Sequence, residues 1–229
     1  MLTPLESGKR SLVSDPWPPQ IAHLGTNYNP QVIRMLSILH FGLCGCSLPC
    51  RFYSCKNALL RMICTPACCP FGGCCGNGLE DSRAVAIQQC EITEARSIVA
   101  VDAIGKGVVV GEYPGELRLA DVSRLKRERN SGYASVMRTA PLSSGKLRVC
   151  VDAERFGSAM RFVNHACELP AHFQELANGN WHAVIVVACQ AVQPGEESTF
   201  SYGDDLWFVC GCGSDVCVHK HIQEEEADL

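Results

Sequence analysis

The chain has 229 residues, room for one or two domains with a sizeable hydrophobic core. With 47% apolar and 19% charged residues it reads as a folded protein, which excludes a disordered one. A net charge of −4 excludes bulk attraction to nucleic acid or an anionic membrane as the organising force, and it suits a basic partner such as a lysine-rich tail.

In chain order, residues 1–40 are rich in Pro, Ser and Asn, carry no apolar period and read as a flexible N-terminal arm. The arm has no continuous apolar h-region, so no secretory signal is expected. The longest apolar stretch, 32–43, is broken by Arg34 and His40 and falls short of the roughly 20 residues that span a bilayer. The thiols are therefore expected in a reducing environment, where clusters bind metal more often than they form disulfides. Residues 41–90 are short-spaced Cys, Gly and Pro and need staples to fold. After Cys90 come β-rich runs at 97–101, 107–113, 147–153 and 183–189, separated by turn residues. They predict a compact, mostly β domain with short helices over 91–203, interrupted by a polar, helix-prone insertion at 121–129. Residues 204–229 hold a second cysteine cluster and an acidic tail.

Of 16 cysteines, ten lie between Cys44 and Cys90 and three between Cys210 and Cys217. Zinc in structural sites takes four tetrahedral thiolate or imidazole ligands. Ten thiols exceed one such site, and two ions would use eight ligands, or seven if one thiolate bridges. The reading selects Cys44, Cys46, Cys50, Cys55, Cys64, Cys69 and Cys75, with Cys68, Cys74 and Cys90 as bystanders. Cys210, Cys212 and Cys217 leave a second tetrahedral site one ligand short. Cys150 and Cys189 lie in apolar runs and are read as core. Cys167 is the candidate fourth ligand, with His219 or His221 as the alternative.

Four motifs together resemble SET-domain protein lysine methyltransferases. GVVVGEYPGE over 107–116 is similar to the family's E-Y-x-G-E strand, and RFVNHAC over 161–167 to its R-F-I-N-H-S-C. PGEESTFSY over 194–202 is similar to its G-E-E-L-T-F-D-Y, and C-x-C-x4-C over 210–217 to its post-SET zinc motif. C-x-N-x6-C-x4-C-P-x-G over 55–72 resembles the AWS zinc module of the enzymes that act on lysine 36 of histone H3. Where the family's cofactor loop reads G-x-G, this chain has Ala95-Arg96-Ser97.

The resemblance implies a SET fold of small β-sheets between an AWS-like module (41–90) and a post-SET module (204–229). It implies methyl transfer from S-adenosylmethionine to lysine on a histone, with about three zinc ions and residence in the nucleus on chromosomes. Tyr202 would be the catalytic tyrosine, with Tyr113 and Phe200 in the lysine channel. Asn164, His165, Arg161, Ala95 and Ser97 would contact the cofactor, and Cys167 would complete the post-SET zinc. Phe200, two residues before the tyrosine, implies a di- or trimethyl product. The run Arg124–Arg129 admits a contact with nucleosomal DNA or a role in nuclear import, and equally a solvated face. The alternatives are a methyltransferase for non-histone proteins and a catalytically weak SET protein acting as a binding module.

Overall fold

The computed structural model describes residues 12–39, 42–52, 54–72, 75–79, 83–91, 94–121, 132–138, 147–168, 171–202 and 210–219. Among these, the helical elements are a single α-turn, α1 (Lys56–Leu59), and a 3-10 turn at Ala159–Phe162, with Gly72 also in 3-10 geometry. Of the insertion expected at 121–129, residues 122–129, with the run Arg124–Arg129, lie outside the described residues, as do Cys74 and His221. No described helix is long and apolar enough to cross a membrane.

Thirteen short strands form four small sheets among the described residues. β1 (Leu12–Ser14), β3 (Val85–Cys90) and β4 (Arg96–Ala100) form one sheet, with β3 in the middle. β2 (Ala22–His23) pairs with β9 (Phe156–Gly157). β8 (Leu147–Asp152) sits between β6 (Glu116–Asp121) and β7 (Ala134–Val136). The largest sheet runs β10 (Asn164–His165), β13 (Thr199–Phe200), β11 (Ala171–Asn178), β12 (Trp181–Ala188), β5 (Val109–Glu112).

The apolar run 183–189 becomes β12, buried from His182 to Ala188 because both its faces are covered: Val184, Val186 and Ala188 enter the central core, and Ala183, Ile185 and Val187 pack with Ile63, Val109 and Leu176. Its hairpin partner β11 gave no signal, since AHFQELAN alternates too weakly to read as a strand. Their two-residue loop places Gly179 at φ +58°, which glycine adopts without steric cost. A core of Ile98, Val110, Leu117, Val149, Val151, Met160, Val163, Val184 and Val186 joins the sheets. At Gly115 the chain passes so close to β8 that a Cβ would stand 2.4 Å from the carbonyl oxygen of Asp152. This close approach explains the glycine of E-Y-x-G-E.

The stretch expected as a loose arm is, over residues 12–39, laid against this body. β1 adds to β3, and Ile21 is buried. Asn27 donates to the carbonyl of His182 and accepts from the N–H of Gly115, at 3.1 Å each. Nε2 of His182 meets the carbonyl of Leu36 at 2.9 Å. Pro and Asn read as loop, but here their backbone groups are satisfied by neighbouring strands and side chains. Cys150 is buried in β8 as expected, whereas Cys189 lies half-buried just past β12, with its Sγ 3.1 Å from Nδ1 of His172.

Candidate functional site

Two motifs distant in sequence meet because β13 runs parallel to β10, pairing Asn164 with Thr199 and His165 with Phe200. Ala166 N–H donates to the Phe200 carbonyl and extends this register. RFVNHAC and STFSY thereby become one surface. The Tyr202 hydroxyl donates to the Val163 carbonyl at 2.9 Å, and its backbone N–H donates to Nδ1 of His165 at 3.1 Å. Burial first, and then Tyr133 and Glu197, raise the Tyr202 phenol to about 12. Tyr113 is buried and donates to the carbonyl of Tyr133 at 2.8 Å. Burial, followed by Tyr202, pushes its phenol well above the ordinary value.

The rings form a continuous row. Tyr113 lies 4.9 Å from Phe173, Phe173 4.0 Å from Phe200, and Phe200 4.8 Å from Tyr202, all tilted. Phe173, from β11, was missing from the sequence reading; it sits in a segment whose polar neighbours hid the strand. A row of rings ending in hydroxyls makes an apolar wall with a polar handle.

Beside the row, Asn164 Nδ2 donates to the Arg96 carbonyl at 3.0 Å and to Oε1 of Glu197 at 2.7 Å. The first bond joins Ala95-Arg96-Ser97 directly to the RFVNHAC segment, and the second adds a carboxylate, Glu197, to which the sequence assigns no role. The Ser97 hydroxyl is buried and has no partner among the described residues, so the site has an open donor and acceptor. Ala95 is exposed, and its carbonyl accepts from Cys90 N–H. Arg161 is buried with two donors already committed, Nε to the Ala153 carbonyl and Nη2 to the Glu154 carbonyl. Its guanidinium lies 4.3 Å over the ring of Tyr133, so it braces the floor of the site.

The cysteines gather as two clusters. Cys44, Cys50, Cys55 and Cys64 form one four-thiol set and Cys50, Cys64, Cys69 and Cys75 another, sharing two sulfurs. Cys46 packs against them. Sulfur separations of 3.6 Å (Cys44–Cys50), 3.5 Å (Cys50–Cys69) and 3.7 Å (Cys55–Cys64) approach the about 3.8 Å edge of a tetrahedral zinc–thiolate site. Burial and the surrounding thiols push Cys50 far up. Burial likewise raises Cys64 against donors from Asn77 and Asn57. Thiolates crowded there call for a cation, and the donor set fits zinc. Cys68 is buried apart from these sets and takes Asn57 and Asn178 donors instead.

At the other end Cys167 joins Cys210, Cys212 and Cys217 in a four-thiol set. Its Sγ lies 3.6 Å from that of Cys210 and 3.5 Å from that of Cys217. Burial opposes ionisation of Cys212, but donors from Ser214 and Cys167 bring its thiol down to about 7. His219 Nδ1 also approaches Cys167, at 3.2 Å, and a second set of His165, Cys167, Cys210 and His219 shares two of the sulfurs. With Nδ1 of His165 accepting from Tyr202, Nε2 must carry the ring proton. His165 is thus a donor to sulfur and not a metal ligand, which favours the four-thiol set.

Residues 95–203 match the family model for the SET domain. The chain is 28% identical over 174 residues to "Histone-lysine N-methyltransferase ash1" of Drosophila melanogaster, covering 72% of this chain and 8% of that protein. It is 28% identical over 217 residues to "Histone-lysine N-methyltransferase, H3 lysine-36 specific" of Homo sapiens, covering 89% of this chain and 8% of that protein. The chain thus spans less than a tenth of either relative's length. A crystal structure of KRYPTONITE in complex with mCHH DNA, an H3(1-15) peptide and SAH shares the fold, with a TM-score of 0.59 at 21% identity. That match covers 86% of this chain and 47% of that one. Residues 95–203 therefore carry the match to the SET domain, and the relatives similar to this chain are named histone-lysine N-methyltransferases.

Proposed function

We propose that the protein transfers methyl groups from S-adenosylmethionine to a lysine side chain, on histone H3 in nuclear chromatin. The observation that carries this is the aromatic row Tyr113–Phe173–Phe200–Tyr202, ending beside Asn164 and His165. In this reading Tyr202 is the catalytic tyrosine, and Tyr113 and Phe200 line the lysine channel. Asn164, His165, Ala95 and Ser97 hold the cofactor, with Arg161 in support. An AWS-like module over 41–90 and a post-SET module over 204–229 flank the SET domain and hold about three zinc ions in all. The relatives' names and the histone peptide bound to KRYPTONITE support a histone substrate.

S-adenosylmethionine, when bound, supplies an electrophilic methyl group on sulfur. The protein must present the lysine as a neutral amine lined up with that group. At a lysine pKa near 10.4, neutrality at pH 7 costs about 4.6 kcal/mol. The aromatic wall lowers this cost, because an apolar environment disfavours the ammonium. The Tyr202 hydroxyl and the Val163 carbonyl it touches then offer the amine polar partners at the wall's end. Zinc at the four-thiol sets fixes the flanking modules and takes no part in the transfer.

A methylation assay with labelled cofactor against intact nucleosomes and a peptide library tests the reading. Label on H3 is expected, as di- or trimethyl-lysine. Label confined to non-histone peptides would redirect the substrate, and no label despite cofactor binding would leave a binding module.

A further inference from the structure

The segment Ala95-Arg96-Ser97 has side chains where the motif it resembles has glycines. Its position is set on β4, where Arg96 pairs with Gln89 on β3, and Gln89 pairs in turn with Val13 on β1. Directly opposed residues point to the same face of a sheet, and so does a residue two further along a strand. Arg96, Gln89, Val13 and Asp15 therefore share a face. Across it, Nε of Arg96 donates to Oδ2 of Asp15 in an ion pair. Asp15 is itself anchored, its N–H donating to the Ile87 carbonyl at 3.1 Å. The pair is largely shielded, with side-chain exposures of 29% for Arg96 and 13% for Asp15.

The same residue thus has two tethers. Its guanidinium is held by the N-terminal strap, and its carbonyl accepts from Asn164, whose amide also serves Glu197. We propose that Asp15 is a positioning residue for cofactor binding: acting through Arg96, it holds the 95–97 backbone in register with Asn164. The inference rests on the reading of Asn164 and 95–97 as the cofactor site. With the strap in place, the backbone is ordered before the ligand arrives, and that ordering is not charged against binding. Without Asp15, a long five-donor side chain is released beside the Asn164–Glu197 bond, and its freedom passes to the carbonyl that Asn164 needs.

Calorimetry with S-adenosylhomocysteine on the whole chain, alongside melting of the ligand-free proteins, decides the matter. Asp15→Asn, which keeps the shape and removes the charge, and Arg96→Ala are each expected to weaken binding about tenfold, within the usual range of coupling between linked groups. Asp15→Glu is expected to retain most of the affinity. The double variant should bind no more weakly than either single one, because both remove the same tether. Unchanged affinity in Asp15→Asn, with or without a lower melting temperature, makes the strap merely structural and overturns the inference alone. A wild-type chain that binds no S-adenosylhomocysteine overturns both the inference and the reading beneath it.

Discussion

Tyr202 is bound to His165 through its backbone N–H, which donates to Nδ1 of the imidazole. Burial, and secondarily His219, hold the His165 pKa below its ordinary value, so the ring is neutral and Nε2 carries its one proton. That nitrogen lies 3.6 Å from Sγ of Cys167. The tyrosine at the end of the aromatic row and the thiol cluster behind it are thus two ends of one imidazole.

Tyr202→Phe keeps the ring and its contacts with Phe200 and His165. It removes one partly buried hydrogen bond, to Val163, a loss of about 1 kcal/mol. Turnover is expected to fall by about a hundredfold or more, the scale seen when one poised hydrogen-bonding group is deleted from a reacting centre. Single-turnover rates compared with melting curves check this. Equal rates at an equal melting temperature would remove Tyr202 from the chemistry.

Cys167→Ser should act on two observables together. Elemental analysis should fall from about three zinc ions per chain to about two, since tetrahedral structural sites need their fourth ligand. Affinity for S-adenosylhomocysteine should fall as well, because Cys167 follows directly on the segment that carries Asn164 and His165. Zinc lost with cofactor affinity intact would sever that link. Under one zinc per wild-type chain, with oxidised thiols, would replace the metal reading with disulfides.

Phe200 is buried between Phe173 and Tyr202. It offers no hydroxyl to fix a water beside an already methylated amine, so a second and a third transfer have room. Mass spectrometry at long reaction times should show di- or trimethyl-lysine from the wild type. Phe200→Tyr should shift the product towards monomethyl while keeping the first transfer. A wild-type product that stops at one methyl, or a variant slowed equally at every step, contradicts the gate.

Alkaline titration reads the same wall by another route. Of five tyrosines, Tyr113 and Tyr202 have raised phenol pKa values, Tyr202 at about 12. A raised folded-state value means that the neutral phenol is the form the fold favours. This contribution to stability is whole below pH 10 and is lost as the pH climbs towards 12. Absorbance at the phenolate band should show one late-titrating group fewer in Tyr202→Phe than in the wild type. Full titration of every tyrosine by pH 11 without loss of fold would contradict the burial.

Parts of this arrangement were readable from sequence, and the reason differs by element. The run 183–189 is apolar throughout, and only a strand covered on both faces makes use of that. Spacing and ligand count show that the thiols cluster but not which of them share a set, and Cys46 falls in neither of the two sets around Cys50 and Cys64. Phe173 and Glu197 are not legible, because one lies in a weakly alternating strand and the other acts through a contact with Asn164, 33 residues away. The 12–39 stretch was misread for a different reason. Its order comes from carbonyls and amides supplied by distant residues such as His182 and Gly115, which local composition cannot report.

The place of β13 bears on how the molecule comes into being. It lies between β10 and β11, two strands that precede it in the chain, and it joins them by parallel pairing at Asn164, His165 and Ala171. During synthesis, which delivers the N-terminal side first, the slot between those strands has to stay open until Thr199 and Phe200 emerge. The β11–β12 hairpin, with its two-residue loop, forms from local contacts and can wait in place. Tyr202 reaches the imidazole of His165 only when the slot is filled, so a strand that docks after both its neighbours is also the one that brings the tyrosine to the imidazole.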